Sequence, residues 1–160
     1  MLSRKQLISD LLKLKEEQDN RSERFEAEES FEMAYLARWH ILEIAVRKII
    51  LKKKQDEIIS LMKDWVDYTE ERRPSRPQNT KIGTVPLQAS KYLPHYEQVI
   101  LKEFGKYGAL CEAMKTGGKY RNKRNRIAHS ADRLSRQNYY KYYKPVINQA
   151  ISEIYNELED

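Results

Sequence analysis

The chain is short of the residues that would point to several common chemistries. It has one cysteine, Cys111, so an intramolecular disulfide is excluded. Its three histidines, His40, His95 and His129, lie far apart and lack ligand spacing, which argues against a clustered metal site. No apolar run approaches the ~20 residues that span a bilayer, so no membrane partner is expected. The start, Met1-Leu2-Ser3-Arg4-Lys5-Gln6, turns polar too soon for a signal peptide. With the single cysteine, this fits a cytoplasmic location. The five glycines and five prolines are clustered, leaving long stretches without a helix breaker. No alternating strand pattern, internal repeat or low-complexity tract is present.

What remains is a charge-rich, amphipathic chain. Its 160 residues, 40% hydrophobic and 34% charged, suit a single domain with its own core. A first helix is expected from about Ser3 to Asn20, capped by Ser3 with Gln6 three residues on. Leu7, Ile8, Leu11, Leu12 and Leu14 supply its stripe, and Asn20-Arg21-Ser22 is expected to turn. The strongest helix opens near Ala27-Glu28-Glu29-Ser30 and runs to about Lys54. Phe31, Tyr35, Trp39, Leu42, Val46, Ile49 and Ile50 recur on one side of it. It either continues or pauses near Lys53-Lys54-Gln55-Asp56, where Asp56 caps a third helix bearing Ile58, Ile59, Leu61, Met62, Trp65 and Val66.

A loop at about 72–88 follows, punctuated by Pro74, Pro77, Gly83 and Pro86. Helix resumes at Pro94 and ends at Gly105. A short apolar piece from Tyr107 to Met114 is broken by Gly117-Gly118. The segment Lys119–Ser130 also reads as helix. Ser135 then caps a C-terminal helix with Tyr139, Tyr142, Tyr143, Val146, Ile147, Ala150, Ile151, Ile154, Tyr155 and Leu158 available for burial. Pro145 is expected to kink or split it. The fold class is all-α, a bundle of four to six helices.

The net charge is +6, and it is concentrated. Lys115, Lys119, Arg121, Lys123, Arg124 and Arg126 precede any acidic residue until Asp132. Such a patch suits RNA, DNA or anionic lipid, or is simply a solvated helix face. Within it, Asn125 and His129 share a helix face, and Arg124 lies ~140° from His129 around the axis. Arg124 and His129 can still flank one crevice, and a two-fold axis would bring two of each together. These residue types suit cleavage of RNA by its own 2′-hydroxyl. That reaction needs a proton acceptor and cationic support for the phosphorane, and no metal or other cofactor. A histidine side chain, titrating near ~6.5 as a type, moves protons at neutral pH. Arginine grips phosphate with two parallel hydrogen bonds, and asparagine orients either group.

The string Arg124-Asn125-Arg126-Ile127-Ala128-His129 resembles the R-x4-6-H signature of the HEPN family, helical domains found in ribonucleases and nucleotide-binding modules. The sequence likeness covers this hexapeptide, and the rest of the chain matches only in helical layout. Trp39-His40-Ile41-Leu42-Glu43 is more weakly similar to the second-helix pattern of several HEPN groups. The resemblance implies an HEPN-like bundle that acts as a metal-independent RNase at a homodimer interface. Arg124 and His129 would be its catalytic pair, with Asn125 the polar residue after the arginine and Glu43 orienting Arg124. It also implies a toxin–antitoxin, abortive-infection or CRISPR-associated defence setting, with an antitoxin or defence partner. Lys119, Arg121, Lys123 and Arg126 are RNA-gripping candidates by charge rather than by motif.

Two positions depart from the pattern. Ser130 follows the histidine, where glycine is frequent. Ala131 stands where toxins silenced by a nucleotidyltransferase antitoxin carry tyrosine, so the resemblance does not carry that control. The Tyr139–Tyr143 cluster is expected to serve packing, with base stacking as the alternative. Cys111 and His40 are expected to be structural. Two further readings stay open: a non-catalytic HEPN module that binds RNA, nucleotide or a partner, and a helical adaptor.

Overall fold

The computed structural model describes residues 4–49, 108–115 and 117–158. Every element among them is helical. Helix α1 is Arg4–Ala27, α2 spans 31–49, α3 is Gly108–Met114 and α4 is Lys119–Ser130. Helix α5 runs 136–156 as one course: Arg136–Asn138, a π-helical turn at Tyr139–Tyr143, then Lys144–Asn156. The third helix with its pause at Lys53–Asp56, the loop at 72–88, the helix from Pro94, and His95 lie outside the described residues.

α1 is longer than its apolar stripe predicts. It passes straight through Asn20-Arg21-Ser22 and ends in a Schellman turn. There Ser30 N donates to Phe25 O at 2.8 Å and Glu29 N to Glu26 O at 3.1 Å, with Glu29 in the left-handed region at φ 59°. Ser22 does not break the helix because it is buried and its hydroxyl donates to Ala34 O on α2 at 3.2 Å. Ser22 is itself a contact with the next helix, which periodicity alone misreads as part of a turn.

α1 and α5 lie antiparallel along most of their length. Arg4 reaches Leu158 O at 3.1 Å, Tyr155 Oη donates to Leu11 O at 2.7 Å, and Glu26 meets Lys144 at 2.7 Å. α2 lies in the angle between them. Tyr35, Ile41, Leu42, Ala45 and Val46 of α2 share one core with Leu7 and Leu11 of α1, Leu110 and Met114 of α3, and Tyr139, Ile147, Ala150 and Ile154 of α5. α3 docks on α5 by a further device: the buried Glu153 carboxylate accepts from Ala109 N at 3.2 Å and Leu110 N at 3.0 Å. It thereby satisfies amides that a helix start leaves without an intrahelical partner.

The C-terminal helix begins as expected, with Ser135 Oγ accepting from Asn138 N at 3.2 Å. Pro145 neither kinks nor splits it. The turn before Pro145 widens instead, and Lys144 N bonds Tyr139 O, five residues back. A proline ring clashes with the carbonyl four residues earlier and offers no N–H. Widening the turn accommodates both defects.

One buried cation joins the three long helices. The Arg38 guanidinium donates to Glu26 Oε1 at 3.0 Å, Asn148 Oδ1 at 3.0 Å, Tyr139 Oη at 3.3 Å and Asp19 Oδ1 at 3.4 Å. Glu26 in turn accepts from Lys144, Tyr139 Oη and Tyr140 Oη. Burial alone would raise the Glu26 carboxyl. The hydrogen bonds from Lys144 and Arg38 outweigh it and hold the group at about 2 against an ordinary 4.5.

The sign of the pH effect follows. The folded carboxyl titrates below the unfolded one, so its contribution is complete above pH 4.5 and fades as pH falls toward 2. At ~1.4 kcal/mol per unit this is on the order of 3 kcal/mol. The urea midpoint should therefore drop across that window. Lys144→Gln, which removes one hydrogen bond but leaves the Arg38 pair, should move the drop to higher pH. An unchanged acid profile in that variant would contradict the assignment.

Candidate functional site

The basic segment is built as α4 and fixed from three sides. Tyr120 is buried against Tyr143, their ring centroids 5.7 Å apart in an edge-on arrangement. The fully buried Tyr35 of α2 donates its hydroxyl to Tyr120 O at 2.7 Å. At the other end Ile127 enters the core, whereas Ala128 beside it is exposed. The helix stops because Ala131 takes the left-handed conformation, φ 50°. Both Ala131 N and Asp132 N turn back to Arg126 O. Leu134 N then donates to Glu32 Oε1 at 3.1 Å, tying the following loop to α2.

The structure separates the basic side chains that charge alone groups together. Arg121 and Lys123 are buried. Lys123 Nζ donates to Asp132 Oδ2 at 2.8 Å and Arg133 O at 2.6 Å, which makes it a clasp for the loop after α4. Arg126 meets the same carboxylate at 3.3 Å but stays exposed. Hydrogen bonds from Lys123 and Arg126 hold Asp132 below the ordinary carboxylate range. Lys119 is exposed, its ammonium 4.5 Å from the Tyr142 ring centroid. Of the four RNA-gripping candidates, the fold leaves only Lys119 and Arg126 facing solvent.

Arg124 sits between α4 and α2, partly exposed. Glu43 Oε2 of α2 lies 3.7 Å from its guanidinium, an ion pair longer than a hydrogen bond. Asn125 Oδ1 accepts from Arg124 Nη1 at 3.0 Å. The fold thus brings Arg124, Asn125 and Glu43 together, and Asn125 orients the arginine rather than the histidine. Arg47, one turn along α2, joins them with Nη2 at 3.4 Å from Glu43 Oε1. Arg47 was missed in the sequence; its one signal there is the i,i+4 spacing from Glu43. His129 projects from the last turn of α4, exposed and without a hydrogen bond to any described residue. It shares the solvent face of α4 with Lys119 and Arg126, while Arg124 leans toward α2.

The remaining candidates fall as follows. Cys111 is half-buried, packed against the core, and its thiol is pushed up by burial and by Glu153. His40 is exposed rather than structural, and lines a surface crevice with Gln18, Arg21 and Phe25 of α1. Tyr139 and Tyr143 serve the core as expected, but Tyr140 and Tyr142 are 39% and 40% exposed. No group of three or more His, Cys, Asp or Glu side chains that could hold a metal ion occurs among the described residues. No helix among them is long and apolar enough to cross a membrane.

Compared with protein-family models, curated proteins and solved structures, the chain matches none.

The helix end beside His129 gives a direct test of the local geometry. An L-residue in the left-handed region costs roughly 1–2 kcal/mol that glycine does not incur. Ala131→Gly should therefore raise the unfolding free energy by up to about 1 kcal/mol, read from urea denaturation. Destabilisation would show that Ala131 does not hold this conformation in solution.

Proposed function

We propose that the protein is a metal-independent endoribonuclease with Arg124 and His129 as its reacting groups. The observation that carries the reading is the held arginine: Arg124 is oriented by Asn125 and Glu43 on the helix that ends in the exposed His129. The proposed step is attack of a ribose 2′-oxygen on the adjacent phosphorus. His129 takes the 2′-hydroxyl proton. Arg124 stabilises the charge on the phosphorane oxygens, and Asn125 and Glu43 fix its guanidinium. The P–O5′ bond breaks, leaving a 2′,3′-cyclic phosphate and a 5′-hydroxyl whose proton comes from solvent or a second imidazole. Lys119 and Arg126 supply solvent-facing charge for the phosphate backbone.

Arg124 and His129 leave α4 ~140° apart, and two chains related by a two-fold axis would complete each other's site. The proposal therefore includes a homodimer with a shared site. The hexapeptide's likeness to HEPN ribonucleases also carries a toxin or antiviral-defence setting, with an antitoxin or defence partner, and the single cysteine fits its working in the cytoplasm. A second reading, a non-catalytic module that binds RNA, nucleotide or a partner, is favoured by one observation. No described residue hydrogen-bonds His129 to fix its ring.

The test is cleavage of RNA in the presence of EDTA by the wild-type chain, His129→Ala and Arg124→Ala. General-base removal typically costs about 10²–10⁴-fold, and both variants are expected to lose at least about 100-fold while keeping wild-type helical circular dichroism. Products should carry cyclic-phosphate ends. RNA binding by all three without cleavage by any would select the binding module. Cleavage by His129→Ala at the wild-type rate would overturn the assignment.

A further inference from the structure

The four large hydrophobic side chains exposed among the described residues are Leu12, Met33, Tyr140 and Tyr142. Two of them belong to the π-helical turn, and the two differ in kind. Tyr140 is spoken for. Its hydroxyl donates to Glu26 at 3.1 Å, and its ring packs edge-on against Phe31 and Tyr139 with centroids 5.7 and 5.0 Å away. Tyr142 has neither a hydrogen bond nor an aromatic partner among the described residues. Its neighbours are two exposed ammonium groups, Lys119 at 4.5 Å and Lys141 at 5.2 Å from the ring centroid.

This placement follows from Pro145. The widened turn that accommodates the proline keeps Tyr139 and Tyr143 in the core and turns Tyr142 outward. A regular α-turn would hold a residue three after Tyr139 close to the buried side. The cations come from two elements, α4 and α5. A ring 40% exposed, with two positive charges beside it that form no ion pair among the described residues, has no part in the core. It has the two components that bind an unpaired base and its phosphate: a stacking surface and local cationic charge.

The position of Lys119 links this ring to the rest of α4. Residues advance ~100° each, so Lys119, Arg126 and His129 fall within ~80° of one another on the exposed face. At ~1.5 Å per residue, Lys119 and His129 are ~15 Å apart along it. A strand whose reacting phosphate lies at His129 can follow this face past Arg126 and end with a base on Tyr142.

We propose that Tyr142, with Lys119 and Lys141, is a stacking platform for an unpaired base of single-stranded RNA, at the opposite end of α4 from His129. The choice of RNA rests on the ribonuclease reading above, but the test reads binding in a chain that cannot cleave. In a His129→Ala background, binding of a short fluorescein-labelled oligoadenylate is followed by anisotropy, beside an abasic oligomer of equal length. Adding Tyr142→Ala should weaken the oligoadenylate by about 10-fold or more, the scale of a lost base–aromatic stack. Abasic affinity should be unchanged, and Tyr142→Phe should bind like the parent. Lys119→Ala should lower the slope of log affinity against log salt by about 0.7, one phosphate contact on a single strand. Equal oligoadenylate affinity with and without the tyrosine ring would overturn the proposal. So would an equal loss for the abasic oligomer, or a parent that binds neither. No cleavage by the wild-type chain with this binding intact would count against the ribonuclease reading alone.

Discussion

The buried Arg38 guanidinium is the contact on which the arrangement of the long helices depends. It sits on α2 but is satisfied by α1 and α5 together, through Asp19, Glu26, Tyr139 and Asn148. A charge taken out of water is tolerated when it is paired and hydrogen-bonded. Hydrophobic contacts permit many sliding and rotational arrangements of three amphipathic helices. A planar cation with its acceptors on two other helices permits few. Glu26 extends the network to Lys144 and Tyr140, so the π-helical turn is anchored to the same group.

From that anchored turn the positioning of α4 follows. Tyr143 leaves the π-helical turn toward the core and meets both Tyr35 and Tyr120 edge-on, with centroids 5.4 and 5.7 Å away. Tyr35 closes the arrangement by its hydrogen bond to Tyr120 O. The basic helix is thus held through its first turn by aromatic packing and at its end by Ile127 and the Lys123 clasp. Among the described residues, the one ion pair on its solvent face is Arg126–Asp132, and Lys119 and His129 stand exposed there. Arg124 occupies the boundary, half in the α2–α4 seam and half in water, where Asn125 and Glu43 set its direction.

The fold class and most helix positions were legible in the sequence because they rest on local rules. Periodic apolar residues marked α2 and the C-terminal helix, Ser135 marked a cap, and Gly117-Gly118 marked the break before α4. The hexapeptide at 124–129 singled out Arg124, Asn125 and His129, and the weaker pattern at 39–43 singled out Glu43, which lies at Arg124 in the structure. The errors are equally specific. Asn20-Arg21-Ser22 read as a turn because a buried serine bonded to another helix looks polar in one dimension. Pro145 read as a kink because the cost of a proline is a local quantity, whereas the anchoring of Tyr139 and Lys144 that lets the turn widen is not.

The sequence by itself determined an all-helical chain with its positive charge gathered on one helix, because periodicity and charge density are properties of neighbouring residues. Only the tertiary structure decided which of those charges face water. Lys123 and Lys119 are the same residue type four positions apart. One is consumed by Asp132 and the Arg133 carbonyl, while the other stands in solvent over Tyr142. That difference depends on what α2, α5 and the 131–135 loop bring to each position, and those partners are distant in the chain.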